Sequence, residues 1–335
     1  MADTVHLSLT DAQALLTAAF QAADLPAPVA ASVAHALVAA EAEGQAGHGF
    51  SRVADYVAQV RSGKVNRAAK IHVTRRGAAS LLVDADCGFA YPALDGALDA
   101  GLPMARAQGI AIMAITNSHH CGALSVQVDR IARAGLIGMM VANTPRAIAP
   151  WGAAEAVFGT NPIAFAAPRA GADPLVIDLS LSKVARGKVM NAANSGQPIP
   201  DDWALDAGGH PTTDPHAALA GTMVPIGGAK GTSLALMVEI LAAVFTGAAM
   251  SHEAGSFFSA DGPPPRVGQT LIAIRPDAGS GFADRLESLL DLIEGMDGAR
   301  LPGTRRRAAL DRARTEGLEV SAAYVAHVRE IADGR

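Results

Sequence analysis

Aromatic side chains are scarce: Phe, Trp and Tyr make up 4% of 335 residues, so a core must be built from aliphatic side chains and alanine. There are two cysteines, Cys87 and Cys121. Two are too few for a disulfide framework and fit a reducing compartment, which points to the cytoplasm. Charged residues are 18% of the chain and the formal net charge is −5. With no basic excess, neither nucleic acid nor an anionic membrane surface is an expected partner. Met1–Thr10 has neither a basic start nor an apolar stretch, so no secretory signal is expected. Several phosphate and nucleophile signatures are also missing. No G-x-G-x-x-G follows a candidate strand, and neither G-x-x-x-x-G-K-[ST] nor G-x-S-x-G occurs. A standard Rossmann or P-loop unit is thereby disfavoured.

What remains is long and apolar. Half of the residues are hydrophobic, enough for two domains or one large domain with an added helical layer. Gly231–Met250 holds a single charge, Glu239, over twenty residues. That length could cross a bilayer. A mid-segment carboxylate is costly in lipid and no second such segment exists, so a buried helix is expected.

Ser8-Leu9-Thr10-Asp11 offers a helix cap, and Ser8–Ala42 reads as two amphipathic helices broken at Leu25-Pro26-Ala27-Pro28. A helix over Phe50–Arg61 should end at Ser62-Gly63. Short strands are expected at 71–74 and 80–83, a helix at 92–108, and a strand buried on both faces at Ile110–Ile115. Then follow a helix at 126–134 and strands at 137–142, 163–167 and 175–177. A polar loop (195–225), the apolar helix, a strand at 270–274, and helices at 282–293 and 308–334 complete the series. The fold class is thus mixed α/β with helices at both ends. The expected division is a helical unit from residues 1–70 and 282–335 beside an α/β domain over 71–281.

Four segments could carry chemistry. In Gly47-His48-Gly49 with Arg52, a helix would set His48 and Arg52 four apart on one face. An imidazole exchanges a proton near neutral pH, and a guanidinium grips a carboxylate through two hydrogen bonds. Such a pair suits a small carboxylate whose neighbouring atom gains or loses a proton, although His/Arg pairs at this spacing are also common on solvated helices. Asn117-Ser118-His119-His120-Cys121-Gly122 directly follows a buried strand, where α/β proteins place ligand contacts. Zinc is the rival reading there, but no second ligand pair appears, so no metal is expected. Finally, Pro225–Gly231 with Lys230, and Leu301-Pro302-Gly303 followed by Thr304 and Arg305-Arg306-Arg307, could each meet a phosphate at a helix start.

Five ordered motifs, H-G-x-x-R (48–52), N-S-x-H-x-G (117–122), G-T-N-P-I-A-F (159–165), P-I-G-G-x-K-G (225–231) and the final L-P-G turn, together resemble the malate/L-lactate dehydrogenase family that lacks the Rossmann fold. The resemblance implies a non-Rossmann NAD(P)H-binding domain, a helical domain from both chain ends and a homodimer. By matching positions, it implies catalytic His48, Arg52 and His120, with Arg52, Thr160, Arg186 and Gly187 contacting a small carboxylate substrate. Cofactor contacts are implied for His120, Cys121, Gly122, Ala123, Leu124, Asp178, Leu179, Ser180, Ala229, Lys230, Thr304, Arg305, Arg306 and Arg307. The three arginines tilt the cofactor toward NADPH over NADH. His119-His120 with Ala123-Leu124 resembles the cyclic ketimine reductases, which act on Δ1-pyrroline-2-carboxylate or Δ1-piperideine-2-carboxylate. Arg186-Gly187-Lys188 looks more like the 2-hydroxy acid dehydrogenases of malate, lactate or sulfolactate type. The ketimine is the expected substrate and the hydroxy acid the alternative. Two departures stand out: Gly47 replaces a frequent Ser, and Lys188 stands where the reductases carry Asp. Without a Ser-His-Asp relay, His48 is expected to be oriented by a backbone carbonyl or by Asp178.

Overall fold

The computed structural model describes residues 3–335; Met1 and Ala2, the start of the segment read for a leader, lie outside the described residues. In chain order, the first elements are β1 (Thr4–Leu7), α1 (Leu9–Ala22), α2 (Ala27–Ala42), α3 (Val53–Arg61), β2 (His72–Gly77), β3 (Ser80–Asp84), α4 (Ala90–Gln108) and β4 (Ile110–Ser118). The middle comprises α5 (Leu124–Arg133), β5 (Ile137–Ala142), β6 (Ile163–Ala167), β7 (Leu175–Leu179), α6 (Arg186–Ser195), β8 (Ala204–Leu205), α7 (Pro215–Ala220), β9 (Thr222–Met223) and α8 (Ala229–Glu239). The chain closes with β10 (Val267–Ile274), α9 (Phe282–Glu294), α10 (Thr304–Glu316), β11 (Leu318–Ser321) and α11 (Ala322–Ala332).

Seven strands form one mixed sheet in the order β2-β3-β4-β10-β5-β6-β7. The most continuous apolar runs, β4 and β10, pair antiparallel at its centre, Ile110 opposite Ile274 and Ala114 opposite Thr270. Central position buries both faces of a strand, which is why these runs do not alternate. The β3–β4 pair alone is parallel, and α4 makes its crossover. Edge strand β2 is exposed along its whole length and carries Arg75 and Arg76, charges that discourage pairing with another edge.

Ser8 caps α1 by accepting from the Asp11 N–H, as the sequence reading placed it, whereas Pro28, expected in the break between the helices, sits in the first turn of α2, where its missing N–H costs nothing. Three expectations are corrected. First, β1 and β11 pair antiparallel and join the two chain ends, so the helical C-terminus is interrupted by a strand. Second, the expected polar loop and the turn before it contain α6 and α7. Third, the apolar helix is buried on one side only. Ala235, Val238, Ala242 and Ala243 face inward, but Leu236, Met237, Ile240, Val244 and Phe245 stand 43–60% exposed. No helix of the described residues is long and apolar enough to cross a membrane. Glu239 explains its own presence there: its carboxylate accepts from Asn161 Nδ2 (2.8 Å) and from the Ser251 N–H and hydroxyl (both 2.6 Å).

One aliphatic core runs from Leu16, Phe20 and Leu37 of the terminal helices through Leu94 and Leu98 to Met113 and Ile115 of β4. It places the end of α2 and the start of α3 against the C-terminal end of β4.

Candidate active site

The segment expected to be helical from His48 to Arg52 is instead two 3-10 turns, Ala46–His48 and Phe50–Arg52, broken at Gly49. The break has a local cause. Glu41, near the end of α2, accepts from the Phe50 N–H at 2.8 Å, and a Cβ on residue 49 would run into that carboxylate. Burial raises the Glu41 carboxyl above its ordinary value. His48 and Arg52 are still delivered to one site. Arg52 Nε donates to the Gly47 carbonyl at 2.7 Å, leaving the rest of the fork for a ligand, with Asp55 3.9 Å away. Its guanidinium lies 4.7 Å from the ring centre of Phe258.

The His119-His120 loop comes off the end of β4 onto this pair. The rings of His48 and His120 stack with centroids 5.2 Å apart and a 22° interplanar angle. Phe257 covers both loop histidines, 5.0 Å from His120 and 5.6 Å from His119. His120 Nδ1 lies 2.5 Å from the Tyr56 hydroxyl, which is 3.0 Å from the Tyr91 hydroxyl. His119 Nε2 bonds Gln59 Oε1 at 2.8 Å, and Gln59 Nε2 donates to the Phe257 carbonyl. Lys64 Nζ donates to the carbonyls of Ser256, Ser259 and Asp261, tying down the loop that carries both phenylalanines.

Burial governs the protonation of this group. His48 is lowered to about 4, by desolvation and then by the Arg52 charge. His119 falls to about 3 and His120 well below the ordinary value for the same first reason, with Arg52 contributing to each. All three imidazoles are therefore neutral at pH 7. Burial pushes the Cys121 thiol up to about 12, which makes it an inert packed sulfhydryl. Among the described residues no group of three or more His, Cys, Asp or Glu is placed to hold a metal ion.

The expectation that Asp178 or a backbone carbonyl orients His48 is corrected. His48 Nδ1 is buried with no hydrogen-bond partner among the described residues. Asp178 instead accepts from the Ser125 N–H (2.8 Å), capping the first turn of α5, where a carboxylate meets the positive helix end. Beside it, the Ser125 hydroxyl donates to Glu43 (2.5 Å) and Arg306 pairs with Glu43 (2.7 Å). Burial, with Glu43 adding to it, raises the Asp178 carboxyl. Cys121, Gly122, Ala123 and Leu124 connect the histidines to this acidic cluster.

Other residues singled out by sequence are more dispersed. The Thr160 N–H donates to Thr144 Oγ1 at 2.9 Å, and its carbonyl accepts from the Leu181 N–H, next to Ser180 and the exposed Leu179. Arg186 and Gly187 open α6, and the Arg186 guanidinium donates to the Leu219 carbonyl. It makes no hydrogen bond to the histidine group among the described residues. Ala229 and Lys230 are exposed at the start of α8, after Gly228 with φ +61°. Thr304 and Arg305 are exposed at the start of α10, whereas Arg306 is spent on Glu43 and Arg307 on Asp173 and Asp311. Sequence reading missed Tyr56, Gln59, Phe257 and Phe258. The adjacent phenylalanines, in a chain so poor in aromatics, were the available signal.

A buried neutral imidazole beside a guanidinium, in a mixed α/β protein, is an arrangement that can exchange a proton and hold a small organic acid. A family model described as malate/L-lactate dehydrogenase matches residues 7–329, and the chain belongs to that family. It is 49% identical over 330 residues to a (2R)-3-sulfolactate dehydrogenase (NADP(+)) of Chromohalobacter salexigens, covering 98% of each chain. It is 40% identical to a Δ1-pyrroline-2-carboxylate/Δ1-piperideine-2-carboxylate reductase of Pseudomonas putida, covering 98% of this chain and 97% of that one. The crystal structure of a Δ1-piperideine-2-carboxylate reductase from Pseudomonas syringae superposes with TM-score 0.93 at 38% identity, covering 98% of this chain and all of that one. The chain is an NAD(P)-dependent oxidoreductase.

Proposed function

We propose that the enzyme interconverts a 2-hydroxy acid and its 2-oxo acid with NADP(H), with 3-sulfolactate and 3-sulfopyruvate as the leading pair. The observation that carries the reading is a neutral His48 within the field of Arg52. Neutral imidazole is the form that takes a hydroxyl proton, and Arg52 holds the carboxylate that places that hydroxyl. Substrate binding strengthens the arrangement. A carboxylate on the guanidinium cancels part of the charge that depresses His48, so the imidazole accepts a proton more readily once the acid is seated. Phe258 shields one face of the guanidinium from water, which strengthens its hold on an anion. The 49% relative that uses NADP(+) and sulfolactate supports the substrate and cofactor.

The residues present fit a dinucleotide. The carboxylates of Asp178 and Glu43 suit ribose hydroxyls, and the starts of α8 and α10, with exposed Lys230 and Arg305, suit phosphates. NADP(H), when bound, supplies or accepts the hydride. His120 to Leu124 and Ser180 would line its path, and Thr160 would face the substrate. In this reading 71–281 is the cofactor-binding part, and 1–70 with 282–335 the substrate and dimer part. The exposed apolar face of α8 and of the helical turn that continues it over Ile240–Val244 supports a homodimer, which Met237→Asp with Ile240→Asp should convert to monomer in sedimentation. The two free cysteines support a cytoplasmic site.

A second reading, reduction of a cyclic ketimine, is favoured by one observation. His48 has no carboxylate behind it, and an iminium substrate arrives with its proton already in place. Assay of 3-sulfopyruvate, oxaloacetate, pyruvate, Δ1-pyrroline-2-carboxylate and Δ1-piperideine-2-carboxylate, each with NADPH and NADH, tests both. The first reading requires the highest kcat/KM with an oxo acid and NADPH; a ketimine in first place replaces it with the second.

A further inference from the structure

We propose that Tyr56 is a positioning residue that fixes the ring tautomer of His120, and that Tyr91 fixes Tyr56 in turn. The two phenols and the imidazole form a buried chain, Tyr91 to Tyr56 at 3.0 Å and Tyr56 to His120 Nδ1 at 2.5 Å. Hydroxyl hydrogens leave the direction of such a chain open, but this one has a single economical solution. Among the described residues, the Tyr91 hydroxyl has Tyr56 as its sole hydrogen-bond partner, and Tyr91 is 2% exposed. A buried O–H with no acceptor is costly, whereas an unused lone pair costs less. Tyr91 therefore donates to Tyr56. The Tyr56 oxygen is then the acceptor of that bond, and its own hydrogen goes to His120 Nδ1. His120 must carry its hydrogen on Nε2.

Surroundings enforce the same outcome. Burial raises both phenols above their ordinary range and lowers His120, so no tyrosinate–imidazolium pair competes. His48 on one side and Phe257 on another hold the ring, and a flip would set a C–H against the Tyr56 oxygen. Space for the chain is made by Gly122, two residues past His120. A Cβ there would lie 2.8 Å from the Tyr91 hydroxyl, and the backbone φ is +67°, which glycine adopts without strain. The H-x-G spacing of the loop thus serves the tyrosine chain as well as the turn.

The result is a division of labour. His120 offers a fixed N–H donor at Nε2, the corner opposite Tyr56, while its stacked neighbour His48, with no partner at Nδ1, is free to take and return a proton. The catalytic consequence rests on the reading of the site given above; the tautomer does not.

The test separates the two. In 15N-histidine-labelled protein, with the His120 signals assigned by loss in His120→Asn, the proposal requires a protonated Nε2 and a bare Nδ1, without substrate. A proton on Nδ1, or on both nitrogens, overturns it. Tyr56→Phe should let the His120 signals shift toward the other tautomer and lower kcat by about 10²-fold, the loss that misorienting a catalytic group produces, with a smaller change in KM. Tyr91→Phe should retain the Nε2–H tautomer, because Tyr56 can still donate, but should loosen Tyr56 and leave kcat between the parent and Tyr56→Phe; a parental kcat there overturns the part given to Tyr91. Unchanged His120 signals and unchanged kcat in Tyr56→Phe overturn the proposal. If Tyr56→Phe does not fold, the parent spectrum decides. Inactivity of the parent toward every panel substrate would instead sink the functional reading.

Discussion

The loop from His119 to Ser125 joins two buried regions of opposite electrical character. At its first end three imidazoles sit among Tyr56, Phe89 and Phe257 and are all driven neutral. Six residues on, Ser125 bonds both Asp178 and Glu43, and Glu43 pairs with Arg306. The difference lies in what can compensate a charge. The second region has an arginine and a helix N-terminus set against its carboxyl groups. The first has Lys64, held by backbone carbonyls, and Arg52, whose one ion pair among the described residues is with Asp55 at 3.9 Å. The partly compensated Arg52 charge is what a substrate carboxylate would satisfy.

Breaking the first region at Arg52 should have the largest effect. Arg52→Ala removes the proposed desolvated partner of the substrate carboxylate, which costs about 2–5 kcal/mol, so kcat/KM should fall at least about 30-fold, with partial rescue by an added guanidinium compound. The same variant should raise the His48 pKa from about 4 toward its ordinary 6.5, measurable by NMR titration.

Breaking the second region should instead cost stability. Glu43→Gln strands Arg306, whose side chain is 14% exposed, and loss of one partner of a buried pair costs about 3–5 kcal/mol. Denaturant unfolding should show it, and a Glu43→Gln, Arg306→Met double variant should recover much of the loss.

Acid separates the regions without mutation. Because the folded-state values of His48 and His119 lie below the ordinary 6.5, the unfolded chain binds protons there that the native chain refuses. Their contribution is fully present above about pH 6.5 and is lost as the pH falls toward 4 and then 3. Urea midpoints measured across that window should fall with pH, and less steeply in His119→Gln. Phe258→Ala is the smallest change. Loss of an exposed cation–π contact of about 0.5–1 kcal/mol should raise KM a few-fold and leave kcat unaltered.

The central sheet was legible because Ile110–Ile115 and Ile137–Ala142 have one reading available to runs that long and apolar. Strands β1 and β11 were not, since each is four residues long and their partner lies at the other end of the chain. Helix α6 was hidden by its polarity, with Val189 its one buried residue. At the candidate site, His48, Arg52 and His120 were singled out by residue type and order, and the fold brings them together. Tyr56 and Phe257 were not, because their role depends on packing between segments some 200 residues apart, which no local pattern encodes. The premise of a helical His48/Arg52 pair failed at Gly49, where a glutamate from the preceding helix dictates the turn.

The most direct test of the account is single-turnover hydride transfer in His48→Ala, with NADPH and the best substrate of the panel. The account predicts a rate lower by about 10²–10⁴-fold with NADPH affinity retained, since the imidazole moves the proton and does not hold the dinucleotide. A parental rate in that variant would contradict it.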